Sequence, residues 1–282
     1  MLDKIYVVSL PFALDRRHYI KKHLKIPFEF FDAYDKYASK DYLKKINKSV
    51  NTVESNSWWA KLGCKISHIS CLQTAINKGY NNVLILEDDV LIKDDFYNLL
   101  PIYLKELPLD WNFLFLGYFI KNKVNVDVQN VSKQISEHLY TLTSSHGAHA
   151  ILYNLKSEGF QKYFSALTNK FLLDKHYDLE MHEICNLLDI TRYAVYPQYV
   201  AQKEGESYIS KRMKNWDLDQ NDPRYDLLKS GTVYSEDYKY INRLNEGEYN
   251  VLYKGETVTA KFIKGHFIFQ NQIIYPKYYK HC

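Results

Sequence analysis

Four short, nearly unbroken apolar runs limit what this chain can fold into: residues 5–10 (IYVVSL), 83–86 (VLIL), 113–117 (FLFLG) and 148–153 (AHAILY). Each is too short for a buried helix and rich in β-branched or aromatic residues, which favours an extended strand. A strand apolar on both faces has to be covered on both faces, and that requires layers of helix on either side of a sheet. The intervening segments fit that need. A helical pattern follows Pro11 and runs to Leu24, and Leu62, Ile66, Ile69, Leu72 and Ile76 recur at helical spacing up to Gly79, a residue suited to a helix C-terminus. Residues 28–33 read as a further strand, and residues 34–56 as a loop with a short helix. Strands alternating with helices over about the first 200 residues predict an α/β fold with a mostly parallel central sheet.

The end of the chain has a different pattern. Residues 249–253, 256–263 and 266–275 are β-like runs separated by Lys254-Gly255 and Lys264-Gly265, which read as hairpin turns. The expected organisation is a main domain over residues 1–214, then a polar linker and small β-rich appendage over residues 215–282.

Hydrophobic residues at 46% and charged residues at 25% place the chain among folded globular proteins rather than disordered ones. A formal net charge of +4 is too mild for a nucleic-acid binder but suits anionic substrates. The 26 tyrosines offer flat surfaces for sugar rings or a membrane interface, and an AT-rich coding sequence would produce the same excess. Cys64, Cys71, Cys185 and Cys282 lack C-x-x-C spacing, so reduced thiols are expected rather than zinc or disulfide frameworks. The start of the chain lacks the apolar stretch of a secretory signal, and no run reaches the length of a membrane span. The expectation is a cytoplasmic protein without a transmembrane segment, with peripheral contact at a membrane face still compatible.

The residues best placed for chemistry are Glu87, Asp88 and Asp89, which begin where the apolar run 83–86 stops. Open α/β sheets bind ligands beyond the carboxyl ends of their strands. Along an extended chain Glu87 and Asp89 point to one side and Asp88 to the other. Adjacent carboxylates repel unless a cation or a set of donors compensates them, and oxygen ligands suit Mg²⁺ or Mn²⁺ bridging to a substrate phosphate. An acidic strand end that caps the following helix, with Asp94 and Asp95, is the structural alternative.

Several blocks, in order, resemble glycosyltransferase family 25, which includes bacterial lipooligosaccharide galactosyltransferases and resembles the collagen galactosyltransferases. IYVVSL at 5–10 followed by Asp15-Arg16-Arg17 is similar to the family's first strand and Asp-Arg-Arg signature. Residues 30–35 (FFDAYD) resemble its Ala-x-Asp-Gly block, with Lys36 in place of Gly. Gly63-Cys64-Lys65-Ile66-Ser67-His68 and the strand ending in Glu87-Asp88-Asp89-Val90 are the most specific matches. Residues 114–117 (LFLG), 177–180 (YDLE) and 196–202 (YPQYVAQ) extend the likeness over residues 4–210, with Gln198 replacing a second Pro.

The resemblance implies a GT-A-like fold and transfer of a hexose, usually galactose, from a UDP-sugar to a hydroxyl of a glycan, glycolipid or glycoprotein acceptor. It implies a metal, Mn²⁺ or Mg²⁺, held by Asp89 with Glu87. Donor contacts would come from Val7, Ser9, Arg16, Arg17, Asp32, Ala33, Asp35, Ser67, His68, Glu87 and Asp88. Inversion requires a base, for which Asp178 and Glu180 are the candidates. Arg16 and Arg17 would either reach a phosphate or pair with a nearby carboxylate; His68, His149 and His176 would serve the site or the core. Trp58-Trp59 would stack on an acceptor sugar or pack internally. Two other classes stay open: a metal-dependent nucleotidyltransferase or phosphohydrolase, and a non-catalytic glycan-binding or scaffold protein.

Overall fold

A computed structural model of the chain describes residues 2–48, 55–120, 132–142, 145–169, 171–173 and 175–202, and, beyond these, 205–206, 213–214, 233–234, 247–253, 256–263, 266–270, 272–274 and 278–281. It divides into two compact units, Met1–Met213 and Lys214–Cys282.

The first unit contains β1 (Lys4–Ser9), α1 (Leu14–His23), β2 (Glu29–Asp32), α2 (Lys36–Lys45), α3 (Asn56–Asn77), β3 (Asn82–Glu87), β4 (Val90–Ile92), α4 (Asp95–Glu106), β5 (Phe113–Ile120), β6 (Leu139–Thr141), β7 (Ser145–Asn154), α5 (Glu158–Asn169), α6 (Tyr177–Leu187), β8 (Arg192–Val195) and β9 (Val200–Gln202). Seven strands form one sheet in the order β2-β1-β3-β7-β5-β8-β6. The pairings β1–β2, β1–β3 and β5–β8 are parallel, whereas β7 runs antiparallel to β3 and β5, and β6 to β8. Five of the seven strands therefore share one direction, the mixed but mostly parallel α/β sheet expected. The chain leaves β1 for β2 on one side and enters β3 on the other, so the carboxyl ends of β1 and β3 meet where the strand order reverses.

Alternation along each strand builds two cores. Tyr6, Val8, Val83, Ile85, Phe113, Phe115, Ile151 and Tyr153 pack with Leu62, Ile66, Ile69 and Leu72 of α3 and with Phe160 and Met181 of α5 and α6. Ile5, Val7, Leu84, Leu86, Leu114, Leu116 and Leu152 face the other way, onto Ile20 of α1 and Phe96, Leu100 and Tyr103 of α4.

Helix α3 begins six residues before the apolar pattern at Leu62, because Ser55 caps it by accepting from Trp58 N (3.2 Å). Its other end is a Schellman motif: Gly79 lies at φ +76°, its N–H donates to Ile76 O, and Tyr80 N donates to Ala75 O. Trp58 and Trp59 fall in its first turn and pack edge to face, centroids 4.9 Å apart, with Trp59 buried and Lys40 of α2 5.4 Å over its ring. Among the described residues, no helix is long and apolar enough to cross a membrane.

At the end of the first unit β10 (Gly205–Glu206) pairs with β11 (Met213–Lys214), and the strands described in the second unit form an antiparallel sheet. Its strands are β12 (Val233–Tyr234), β13 (Gly247–Tyr253), β14 (Glu256–Ile263), β15 (His266–Phe269), β16 (Gln272–Ile274) and β17 (Tyr278–His281), in the order β12-β17-β13-β14-β15-β16. The run expected as one strand over residues 266–275 is two, reversed at Gln270, which takes φ +50°. Residues 215–229 and the Lys254-Gly255 and Lys264-Gly265 turns lie outside the described residues.

Gly63 sits where α3 crosses the backbone after β2, and a Cβ there would stand 2.3 Å from Tyr34 O. Alanine favours a helix by about 1 kcal/mol over glycine, yet overpacking costs about 1–3 kcal/mol. Gly63→Ala is therefore expected to lower stability, read as a reduced midpoint in urea unfolding; an increase would show that the crossing can relax.

Candidate active site

The site begins with register. Val8 of β1 pairs with Glu87 of β3, and Ser9 pairs with Asp32 of β2, so the three strand ends lie side by side. Asp88, the first residue past β3, is buried, and both its oxygens are bound: Ser9 Oγ donates to Oδ2 and Arg16 Nη1 to Oδ1, each at 2.7 Å. Charge-assisted bonds of this kind offset the desolvation of a buried carboxylate. Arg17 completes the clamp through Ser9 O (2.8 Å), Ser9 Oγ (3.3 Å) and Asp32 Oδ1 (2.5 Å), with its guanidinium 4.8 Å over the Phe30 ring. The two arginines thus pair with Asp88 and Asp32 rather than with Asp15.

Asp88 and Asp89 form the turn between β3 and β4, and Glu87 and Asp89 share a partner in Gln202. Gln202 Nε2 donates to Glu87 Oε2 (3.1 Å) and approaches Asp89 Oδ1 at 3.5 Å, while Arg16 Nη1 lies 3.8 Å from Asp89 Oδ2. Gln202 reaches them because β9 pairs antiparallel with β4, with Val90 opposite Gln202. The remaining oxygen of Glu87 faces α3: His68 Nε2 is 3.2 Å from Oε1 and Cys64 Sγ is 3.9 Å away. His68 is fully buried and stacks on Tyr177 at 4.5 Å. Burial raises the Tyr177 phenol far above its usual range, so its hydroxyl stays protonated beside Tyr153.

Other expected donor residues fall into the framework. Val7 is a core residue with no exposed surface, so its side chain cannot meet a ligand. Ala33 N donates to Ser9 O, and Asp35 caps α2 by accepting from Ala38 N. Ser67 is buried, bonded to Gly63 O (2.6 Å) and Tyr34 N (2.8 Å), which fastens α3 to the loop after β2.

The two base candidates separate, because residues two apart on a helix lie about 200° around its axis. Glu180 turns inward, 2% exposed, and pairs with the fully buried Lys65 of α3, which also donates to Leu172 O. Burial raises the Glu180 carboxyl pKa, and the Lys65 contact pulls against that rise. Asp178 accepts from Gly147 N (2.9 Å) and Leu179 N (3.0 Å), in the first turn of α6 and at the start of β7, where Gly147 takes φ +87°. His149 is packed in the core beside Phe119 and Gly117, and His176 stands at the N-cap position of α6. Among the described residues the groups of three or more metal-competent side chains are Cys64–His68–Glu87 and Glu106–Glu137–His138, so neither His149 nor His176 joins one. Asp89 joins neither group and shares Gln202 with Glu87.

Comparison with known proteins places this architecture. The family model described as "Glycosyltransferase family 25 (LPS biosynthesis protein)" matches residues 2–222. The chain belongs to glycosyltransferase family 25. The matched stretch holds every residue of the site, from the β1 end to Gln202. A Haemophilus influenzae protein named "Putative glycosyltransferase" is 34% identical over 105 residues, covering 34% of this chain and 36% of the relative. The match thus spans little more than a third of that relative's length. Among solved structures, S. aureus TarS shares 14% identity over 72% of this chain and 60% of its own, with a TM-score of 0.38. The galactosyltransferase LgtC with donor and acceptor sugar analogues shares 14% over 72% and 87%, at 0.36. A Drosophila galactosyltransferase in complex with manganese, UDP-Gal and xylobiose shares 11% over 93% of each chain, at 0.37. At TM-scores this low the likenesses carry no argument for fold or ligand, and the assignment rests on the family model.

The Lys65–Glu180 pair generates a test of what Glu180 does. Lys65→Met strands a buried carboxylate and is expected to cost about 3–5 kcal/mol in urea unfolding, whereas Lys65→Met with Glu180→Leu restores most of it. A double variant as unstable as the single one would remove the pair from the core's accounting.

Proposed function

We propose that this family 25 chain transfers a hexose, galactose in the first instance, from a UDP-sugar to a hydroxyl of a glycan, glycolipid or glycoprotein acceptor, with inversion, on a GT-A-like frame. The observation that carries the reading is that Gln202 joins Glu87 and Asp89 at the β3 end while Ser9 and Arg16 clamp Asp88 between them in the chain. Two carboxylates held together by a neutral amide are an oxygen donor set of the kind that hard divalent cations take. Asp89, with Glu87 Oε2, would hold Mn²⁺ or Mg²⁺. Bound there, such an ion neutralises charge developing on a diphosphate leaving group.

The chain's own groups supply the rest. Ser9, Arg16 and Arg17 fix the strand ends that form the donor site, so the arginines act first as positioning residues. Asp178 is the better base of the two candidates, since Glu180 is committed to Lys65 inside the core. Asp178 would receive the acceptor hydroxyl's proton on a carboxylate oxygen as the hydroxyl oxygen attacks the anomeric carbon and the bond to UDP breaks. A cytoplasmic enzyme meeting its acceptor at a membrane face belongs to the same proposal, in keeping with a family described by lipopolysaccharide biosynthesis.

Two measurements test it. Calorimetry should find UDP bound more tightly with Mn²⁺ than without, and Asp89→Ala should abolish that gain; binding indifferent to both would refute the metal reading. In product assays with a UDP-sugar and acceptor, Asp178→Asn should lower kcat by about 10²- to 10⁴-fold with donor affinity unchanged. Release of UMP and sugar 1-phosphate from the UDP-sugar, with no transfer to any acceptor offered, would favour a phosphohydrolase instead.

A further inference from the structure

Glu87 faces two donor sets, one oxygen to each. Oε2 looks toward Gln202 and Asp89, while Oε1 looks toward His68 Nε2 and Cys64 Sγ. Cys64 and His68 are four apart on α3 and so share a face, and β3 ends opposite that face. One sulfur, one nitrogen and one oxygen lie within 4.8 Å of one another. We infer that Cys64, His68 and Glu87 form a binding site for a zinc-class divalent ion, distinct from the oxygen pair Glu87–Asp89.

Geometry supports the inference first. Zinc bonds of about 2.3 Å to sulfur and about 2.0–2.2 Å to nitrogen and oxygen, arranged tetrahedrally, separate nitrogen from oxygen by roughly 3.4 Å and sulfur from oxygen by roughly 3.6 Å. The corresponding separations are 3.2 Å and 3.9 Å, each within about 0.3 Å of its tetrahedral edge. Donor softness supports it second: thiolate and imidazole select zinc-class ions over Mg²⁺ or Mn²⁺, which prefer oxygen. Three protein ligands leave the fourth position to water.

Binding has a definite proton balance. The Cys64 thiol releases its proton to solvent on forming the metal–sulfur bond, and ligation through His68 Nε2 puts the ring proton on Nδ1. Nδ1 is buried without a hydrogen-bond partner. One unmet N–H is a smaller loss than three metal bonds are a gain. The filled site would tie α3 to the end of β3 and hold Glu87 in one orientation.

The test is optical and uses the full chain. Co²⁺ added to the reduced protein should give a thiolate-to-cobalt charge-transfer band that one equivalent of Zn²⁺ bleaches. Cys64→Ser should abolish the band and also remove the Zn²⁺-induced rise in melting temperature. Asp89→Asn should leave both intact while abolishing the Mn²⁺ effect on UDP binding, so that failure here and failure of the transferase reading give different results. The inference is overturned if the wild type shows no band, if the band survives Cys64→Ser in protein whose circular dichroism is native, or if Cys282→Ser removes it.

Discussion

A carboxylate buried at the end of a sheet strand is tolerable only if donors surround it, and the bonds from Ser9 and Arg16 to Asp88 meet that condition. The site depends on this clamp. With Asp88 held by Ser9 and Arg16, Glu87 and Asp89 meet Gln202. The clamp in turn depends on β1 and β3 being parallel neighbours at the reversal of strand order, because only that arrangement sets Ser9 beside Asp88. Arg17 extends the same logic to β2 through Asp32.

Polar groups inside the first unit serve the same end by joining layers. Lys65 and Glu180 link α3 to α6 through a fully desolvated contact, and Arg192 of β8 donates to His182 and Asn186 of α6. Burial lowers the Arg192 pKa from its usual value. Ser67 and Gly63 seat α3 against the loop after β2, one by hydrogen bonds and the other by absence of a side chain. Half of the Gly-Cys-x-x-Ser-His block is therefore packing; the half that faces the carboxylates is Cys64 and His68.

Much of this was legible in the chain. The apolar runs marked β1, β3, β5 and β7 to within a few residues, because a strand covered on both faces has no polar alternation to confuse it. Short elements were harder: β6, β8 and β9 span only three or four residues. The acidic triplet stood out at the end of an apolar run, but strand periodicity alone could not place its side chains, since Asp88 and Asp89 form a turn and Arg16 lies near both. Gln202 did not stand out, although it lay in a segment resembling the family pattern, since its meaning comes from the β4–β9 ladder.

What the sequence determined by itself is local: which segments extend and which coil, consequences of periods of two and 3.6 residues along one chain. Tertiary structure decided which distant groups meet. It put Arg16 on Asp88 rather than on Asp15, buried Glu180 against Lys65 while leaving Asp178 at the helix start, and gave Glu87 a thiol and an imidazole on one side and an amide on the other. Those choices depend on strand order and helix packing, which bring together residues up to 115 positions apart, and no local period encodes them.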